Sequence, residues 1–154
     1  MIVGLHDCDG HGYPNLALMK LSAWHKAQGD DVRWFIPLAQ YDRVYSSKVF
    51  TFTPDDPYLP SDAIKGGTGY GASLNLPDEV EHMCPDYELY HCKESYGFLT
   101  RGCPNACPWC IVQKKEGKIR AHADIEELYP LARSLSADLL TCSIWLFWSQ
   151  ASRG

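Results

Sequence analysis

The chain has 154 residues, 45% of them hydrophobic, and a formal net charge of −5. This length suits one domain or one and a fraction, the apolar content can build a core, and the acidic balance excludes the basic footprint of a protein that wraps nucleic acid. The longest apolar run, residues 139–148, is interrupted by Thr141, Cys142 and Ser143 and is too short to cross a bilayer.

Residues 2–5 read as a buried strand. The polar run His6-Asp7-Cys8-Asp9-Gly10-His11-Gly12 follows it, where open α/β sheets place their ligand crevice. It is either a ligand or metal site or an Asp/Gly/His turn feeding a proline-started helix. Residues 15–28 predict a helix with Leu16, Met19 and Ala23 on one face and Gly29 as its stop. Residues 32–37 and 44–52 predict two further strands, the latter from Val44, Tyr45, Val49, Phe50 and Phe52. Strand, helix, strand, strand is the pattern of an α/β protein with an open parallel sheet of Rossmann type.

Residues 53–60 predict a loop, because Pro54, Pro57 and Pro60 cannot donate to a ladder and Asp55 and Asp56 favour turns. The cluster Gly66-Gly67-Thr68-Gly69-Tyr70-Gly71 could bring backbone close to a phosphate. It lacks the G-x-G-x-x-G spacing and the P-loop lysine, so a plain loop is the competing reading. The chain divides near residues 76–86, giving a front domain over 1–80, a second segment over 81–141 and an atypical tail over 142–154.

The second segment carries the most informative pattern, Cys103-x3-Cys107-x2-Cys110 with Trp109 just before the last cysteine. Three thiolates on one tight loop can hold three corners of a 4Fe–4S cube. The fourth iron then has no ligand from the loop, and an open coordination position marks a centre that acts on something. Other readings stand beside this one. Cys107-Pro108-Trp109-Cys110 resembles a glutaredoxin redox motif, although that leaves Cys103 without a role. A non-catalytic zinc module would need a fourth ligand, for which Cys92, His91 and Cys84 are candidates. Haem attachment needs a histidine at position 111, which is Ile111.

The stretch from Tyr96 through Cys110 resembles the cluster-binding segment of the radical S-adenosylmethionine superfamily, whose signature is C-x3-C-x-aromatic-C. The resemblance implies that Cys103, Cys107 and Cys110 ligate a 4Fe–4S cluster and that Trp109 lies near the adenine of S-adenosylmethionine. It implies one-electron reduction of the cluster by a reductant such as flavodoxin or ferredoxin. S-adenosylmethionine is then cleaved to methionine and a 5′-deoxyadenosyl radical that attacks a substrate the resemblance leaves open. Pro85-Asp86-Tyr87 is similar to the lead-in that some members have. The front domain is similar to the cobalamin-binding domains attached to many of these enzymes. Some of those carry D-x-H-x-x-G after the first strand; Asp9 and His11 match it, but Pro14 stands where the last glycine is required.

The implied fold of the second segment is the first strand-loop-helix of a partial (β/α) barrel, with the strand at residues 96–100. A whole barrel typically needs about 200 residues or more. The expectation is therefore a truncated or frame-shifted chain of doubtful activity, with a tail whose Trp145 and Trp148 follow neither helical nor strand periodicity. Beyond the cysteines, residues 114–120 are charged, as a steering surface or a solvated loop, and residues 124–135 predict a helix capped by Asp124 and disturbed by Pro130. Seven cysteines with no signal segment ahead of the first strand point to a reducing, cytoplasmic compartment.

Overall fold

The computed structural model describes residues 1–10, 13–105 and 107–129. β1 (Ile2–Asp7), β2 (Asp31–Trp34), β3 (Arg43–Ser47) and β4 (Ile64–Gly66) form one sheet in the order β2-β1-β3-β4. Every pairing in it is parallel. Parallel strands need both faces covered; β1, at the centre, buries Val3 and Leu5 on one face, and on the other the Tyr41 ring lies over Gly4.

α1 (Leu16–Ala27) covers one face. Asn15 caps its start by accepting a bond from the Leu18 amide, and the same side chain donates to Ser47 Oγ at 2.9 Å, which ties the helix to the end of β3. The helix ends at Gln28, followed by Gly29 at φ +80°. Val3, Leu5, Leu18, Leu21 and Val80 form the core, with Trp24, Val32, Tyr45, Leu76 and Leu89 packed around it. His25 is buried on this face between Asp30 Oδ2 at 2.7 Å and Tyr45 Oη at 3.1 Å. Of the expected Leu16, Met19 and Ala23, Met19 is buried and the other two are only partly so; the buried residues of α1 are Leu18, Met19, Lys20, Leu21, Ser22 and His25.

α2 (Asp78–Glu81) and a 3₁₀ turn (Tyr87–Tyr90) lie against α1. On the opposite face of the sheet, His6 Nδ1 meets Ser46 Oγ at 2.9 Å, and Ser46 Oγ meets Tyr70 Oη at 2.9 Å. Beyond the sheet, β5 (Thr100–Arg101) pairs antiparallel with β6 (Arg120–Ala121), and α3 (Ile111–Lys115) lies between them in sequence. α4 (Ile125–Leu128) begins with a capping box in which Asp124 and Glu127 bond each other's backbone.

Four elements differ from the sequence expectation. β2 stops at Trp34 rather than running to residue 37, because the chain turns there, with the Ala39 amide donating to the Ile36 carbonyl and Leu38 at φ +70°. β3 stops at Ser47 rather than running to residue 52, because Phe50 and Phe52 stack on each other in an exposed turn instead of entering the sheet. β4 is an additional strand leading into the glycine cluster. The strand expected at 96–100 is confined to Thr100–Arg101. The part of the expected 124–135 helix beyond residue 129, the tail and Cys142 lie outside the described residues. Among the described residues no helix is long and apolar enough to cross a membrane.

Candidate functional site

The three cysteines of the motif occupy the loop between β5 and α3. Gly102 turns the chain into this loop at φ +81°, and a Cβ there would stand 2.3 Å from the Lys118 carbonyl oxygen. Only glycine permits both the dihedral and the approach. The Cys103 amide donates to the Gly117 carbonyl at 3.2 Å, closing the base of the loop. The Cys110 amide donates to the Cys107 carbonyl at 3.1 Å, which folds the second half into a tight turn. Gln113 of α3 reaches back and donates to the carbonyls of Cys103 and Asn105, both at 2.7 Å. Backbone carbonyls and one amide side chain, rather than apolar burial, shape this loop.

Cys103, Cys107 and Cys110 are all free thiols, partly covered. Trp109 is 86% exposed, so it does not plug a core beneath the loop and its ring face is open to a ligand. The donor chemistry suits an iron–sulfur cluster, since three unpaired thiols stand on one loop. Among the described residues no group of three or more His, Cys, Asp or Glu side chains is placed to hold a metal ion. A cubane spreads its cysteines over separate irons, so binding requires the loop to draw its sulfurs in around a cluster.

The candidate fourth ligands lie elsewhere. Cys92 and His91 line an open cavity of about 670 Å3 with Lys26, Trp34, Glu88 and Leu89. The Cys84 thiol approaches the Pro85 and Leu128 carbonyls. Burial pushes the thiols of both Cys84 and Cys92 up, which disfavours the thiolate a metal needs.

The polar run begins inside β1, which extends through His6 and Asp7, and is built into the fold. Asp9 accepts from the Val49 amide at 2.5 Å and from Thr53 Oγ1 at 2.7 Å, pinning the loop after β3. Asp7 accepts from Tyr90 Oη at 2.7 Å. His11, the residue matched to a cobalamin ligand, lies outside the described residues. The glycine cluster has a packing reason: at Gly67, φ +93°, a Cβ would stand 2.3 Å from the Lys48 carbonyl oxygen.

One group around the loop was not anticipated from the sequence. Glu81 Oε1 receives Lys20 Nζ at 2.9 Å, Arg101 Nη2 at 2.6 Å and His122 Nε2 at 3.0 Å. Burial alone would raise the Glu81 carboxyl, but Lys20 and Arg101 more than offset it and bring it down to about 2. Arg101 also donates through Nη1 to Glu116 Oε1 at 3.0 Å, and Lys115 Nζ donates to Thr68 Oγ1 at 3.0 Å. The available signal was Arg101 standing two residues before the first cysteine. No protein-family model, curated protein or solved structure matches this chain.

Proposed function

We propose that this chain is an iron–sulfur protein of the radical S-adenosylmethionine type. The observation that carries the reading is Cys103-x3-Cys107-x2-Cys110 with Trp109, all on one loop. Cys103, Cys107 and Cys110 would each hold one iron of a 4Fe–4S cluster, leaving the fourth iron for the amino and carboxylate groups of S-adenosylmethionine. Trp109, already exposed, offers a flat apolar face to adenine. The chemistry the cluster supplies when bound is one-electron reductive cleavage of S-adenosylmethionine, on a substrate still to be found. In this role the chain's own residues would hold the cluster and orient the cofactor.

In this reading the four-stranded parallel sheet is a Rossmann-like front unit, with strand order β2-β1-β3-β4 as its support. β5, the cysteine loop and α3 then correspond to the opening strand-loop-helix of a partial barrel. Anaerobic reconstitution with iron and sulfide tests the proposal. A brown protein whose reduced form gives a cluster signal that shifts on adding S-adenosylmethionine supports it. A colourless protein that takes up zinc through the same cysteines and Cys92 would replace it with a closed structural site.

A further inference from the structure

Arg101 stands where the base of the cysteine loop meets the front layer. It ends β5 and lies two residues before Cys103. Its guanidinium forks: Nη2 meets Glu81 of α2 at 2.6 Å, and Nη1 meets Glu116, just past α3, at 3.0 Å. Glu116 neighbours Gly117, whose carbonyl accepts the Cys103 amide. Glu81 is in turn held by Lys20 of α1, which is only 4% exposed and bonds both the Glu81 side chain and its carbonyl. Phe98 supports the guanidinium from 4.8 Å. One side chain therefore joins both ends of the loop and fastens them to a buried lysine in the front layer.

We infer that Arg101 is a positioning residue for the cysteine loop, acting through its fork between Glu81 and Glu116. A planar guanidinium can serve two carboxylates at fixed angles, whereas a lysine ammonium is a single flexible point charge. The side chains involved are mostly covered, with Arg101 at 22%, Glu81 at 15% and Glu116 at 19% exposure, so solvent screens them less than an open surface pair. The loop has little apolar burial of its own, and this polar brace adds to the β5–β6 ladder and the Cys103–Gly117 bond in keeping its ends in register. The value of the brace to cluster retention rests on the function proposed above; its mechanical role does not.

The test uses the metal-free full chain, with iodoacetamide labelling of each cysteine followed by mass mapping. Arg101→Gln should raise the labelling rates of Cys103, Cys107 and Cys110 by roughly fivefold, the size expected for loss of a partly covered ion-pair brace on a local opening. Cys8, after β1, and Cys92, after the 3₁₀ turn, should label as before. Glu116→Gln removes one arm, leaves the Glu81 hub intact and should act in the same direction. It also decides the question if Arg101→Gln fails to fold. Arg101→Lys should fall between wild type and Arg101→Gln. In reconstituted protein, Arg101→Gln should release iron to a chelator faster while wild type retains it.

Unchanged loop labelling in these variants would overturn the inference. So would an equal rise at Cys8 and Cys92, which would mean general loosening, or full recovery with lysine, which would mean charge without a fork suffices. If wild type takes up no iron while the loop thiols still respond to Arg101→Gln, the cluster reading fails and the brace stands.

Discussion

Val3, Leu5, Leu18 and Met19 in the front half are fully buried, whereas Cys103, Cys107 and Cys110 are only partly covered and Trp109 beside them is 86% exposed. The front half is a parallel sheet closed by a helix, and its order follows from apolar surface removed from water. The loop is held by a two-residue ladder, a five-residue helix, two Gln113 bonds and the Arg101 fork. Buried apolar packing and the candidate site are thus separated along the chain. The front supplies a rigid base, and the loop keeps its thiols and its aromatic face available.

The largest effect expected from breaking this contrast is in the front core. Leu18→Ala should lower unfolding free energy by about 2–5 kcal/mol, measured by denaturant titration, since a fully buried leucine leaves a cavity. Each of Cys103→Ala, Cys107→Ala and Cys110→Ala should leave the fold nearly unchanged, within about 0.5–1 kcal/mol, because the lost side chains are partly exposed.

Acid sharpens the comparison at the junction. Glu81 titrates at about 2 in the fold against an ordinary 4.5, so its charge stabilises the folded chain above its unfolded value, and that contribution is lost as pH falls from 4.5 towards 2. Glu81→Gln should remove on the order of 1–2 kcal/mol at neutral pH, after allowing for partial solvent screening, and flatten this part of the acid limb. Unfolding curves for wild type and variant at several pH values would check it; a difference that stays constant from neutral pH down to about 2 would contradict it.

The smallest stability effect belongs to Trp109. Trp109→Ala should change unfolding free energy by less than about 0.5 kcal/mol, as for other exposed positions. It should still weaken S-adenosylmethionine binding to the reconstituted protein by roughly fivefold, the loss of one stacking contact worth about 1 kcal/mol. Trp109→Phe should retain the affinity. Thermal melting and cofactor titration on the same variant separate the two effects.

The front half was legible where local rules coincide with tertiary ones. Asn15 and Gly29 bracket α1 as cap and stop, β1 contains the expected run 2–5, and β2 covers the first part of the expected 32–37. β3 ends before Phe50 and Phe52 despite their strand propensity, because propensity yields to a turn pinned by Asp9 from 40 residues away. β4 has no sequence signature, because Ile64-Lys65-Gly66 is too short to show a period. The cysteine spacing shows in the sequence because it is local, and the structure places the three free thiols on one loop. The Glu81 hub does not show there, since Lys20 and Arg101 meet it across 61 and 20 residues and neither separation follows a helix or strand period.

The central claim is that three cysteines, and no others, hold a 4Fe–4S cluster. It is tested most directly by anaerobic reconstitution of wild type and of single Ala variants at Cys103, Cys107, Cys110 and Cys92, with iron and sulfide counted per chain. The account predicts about four iron and four sulfide in wild type and in Cys92→Ala, and loss of the cluster in each of the other three. Wild type that holds about one zinc and no sulfide, or loss of metal on replacing Cys92, would contradict it.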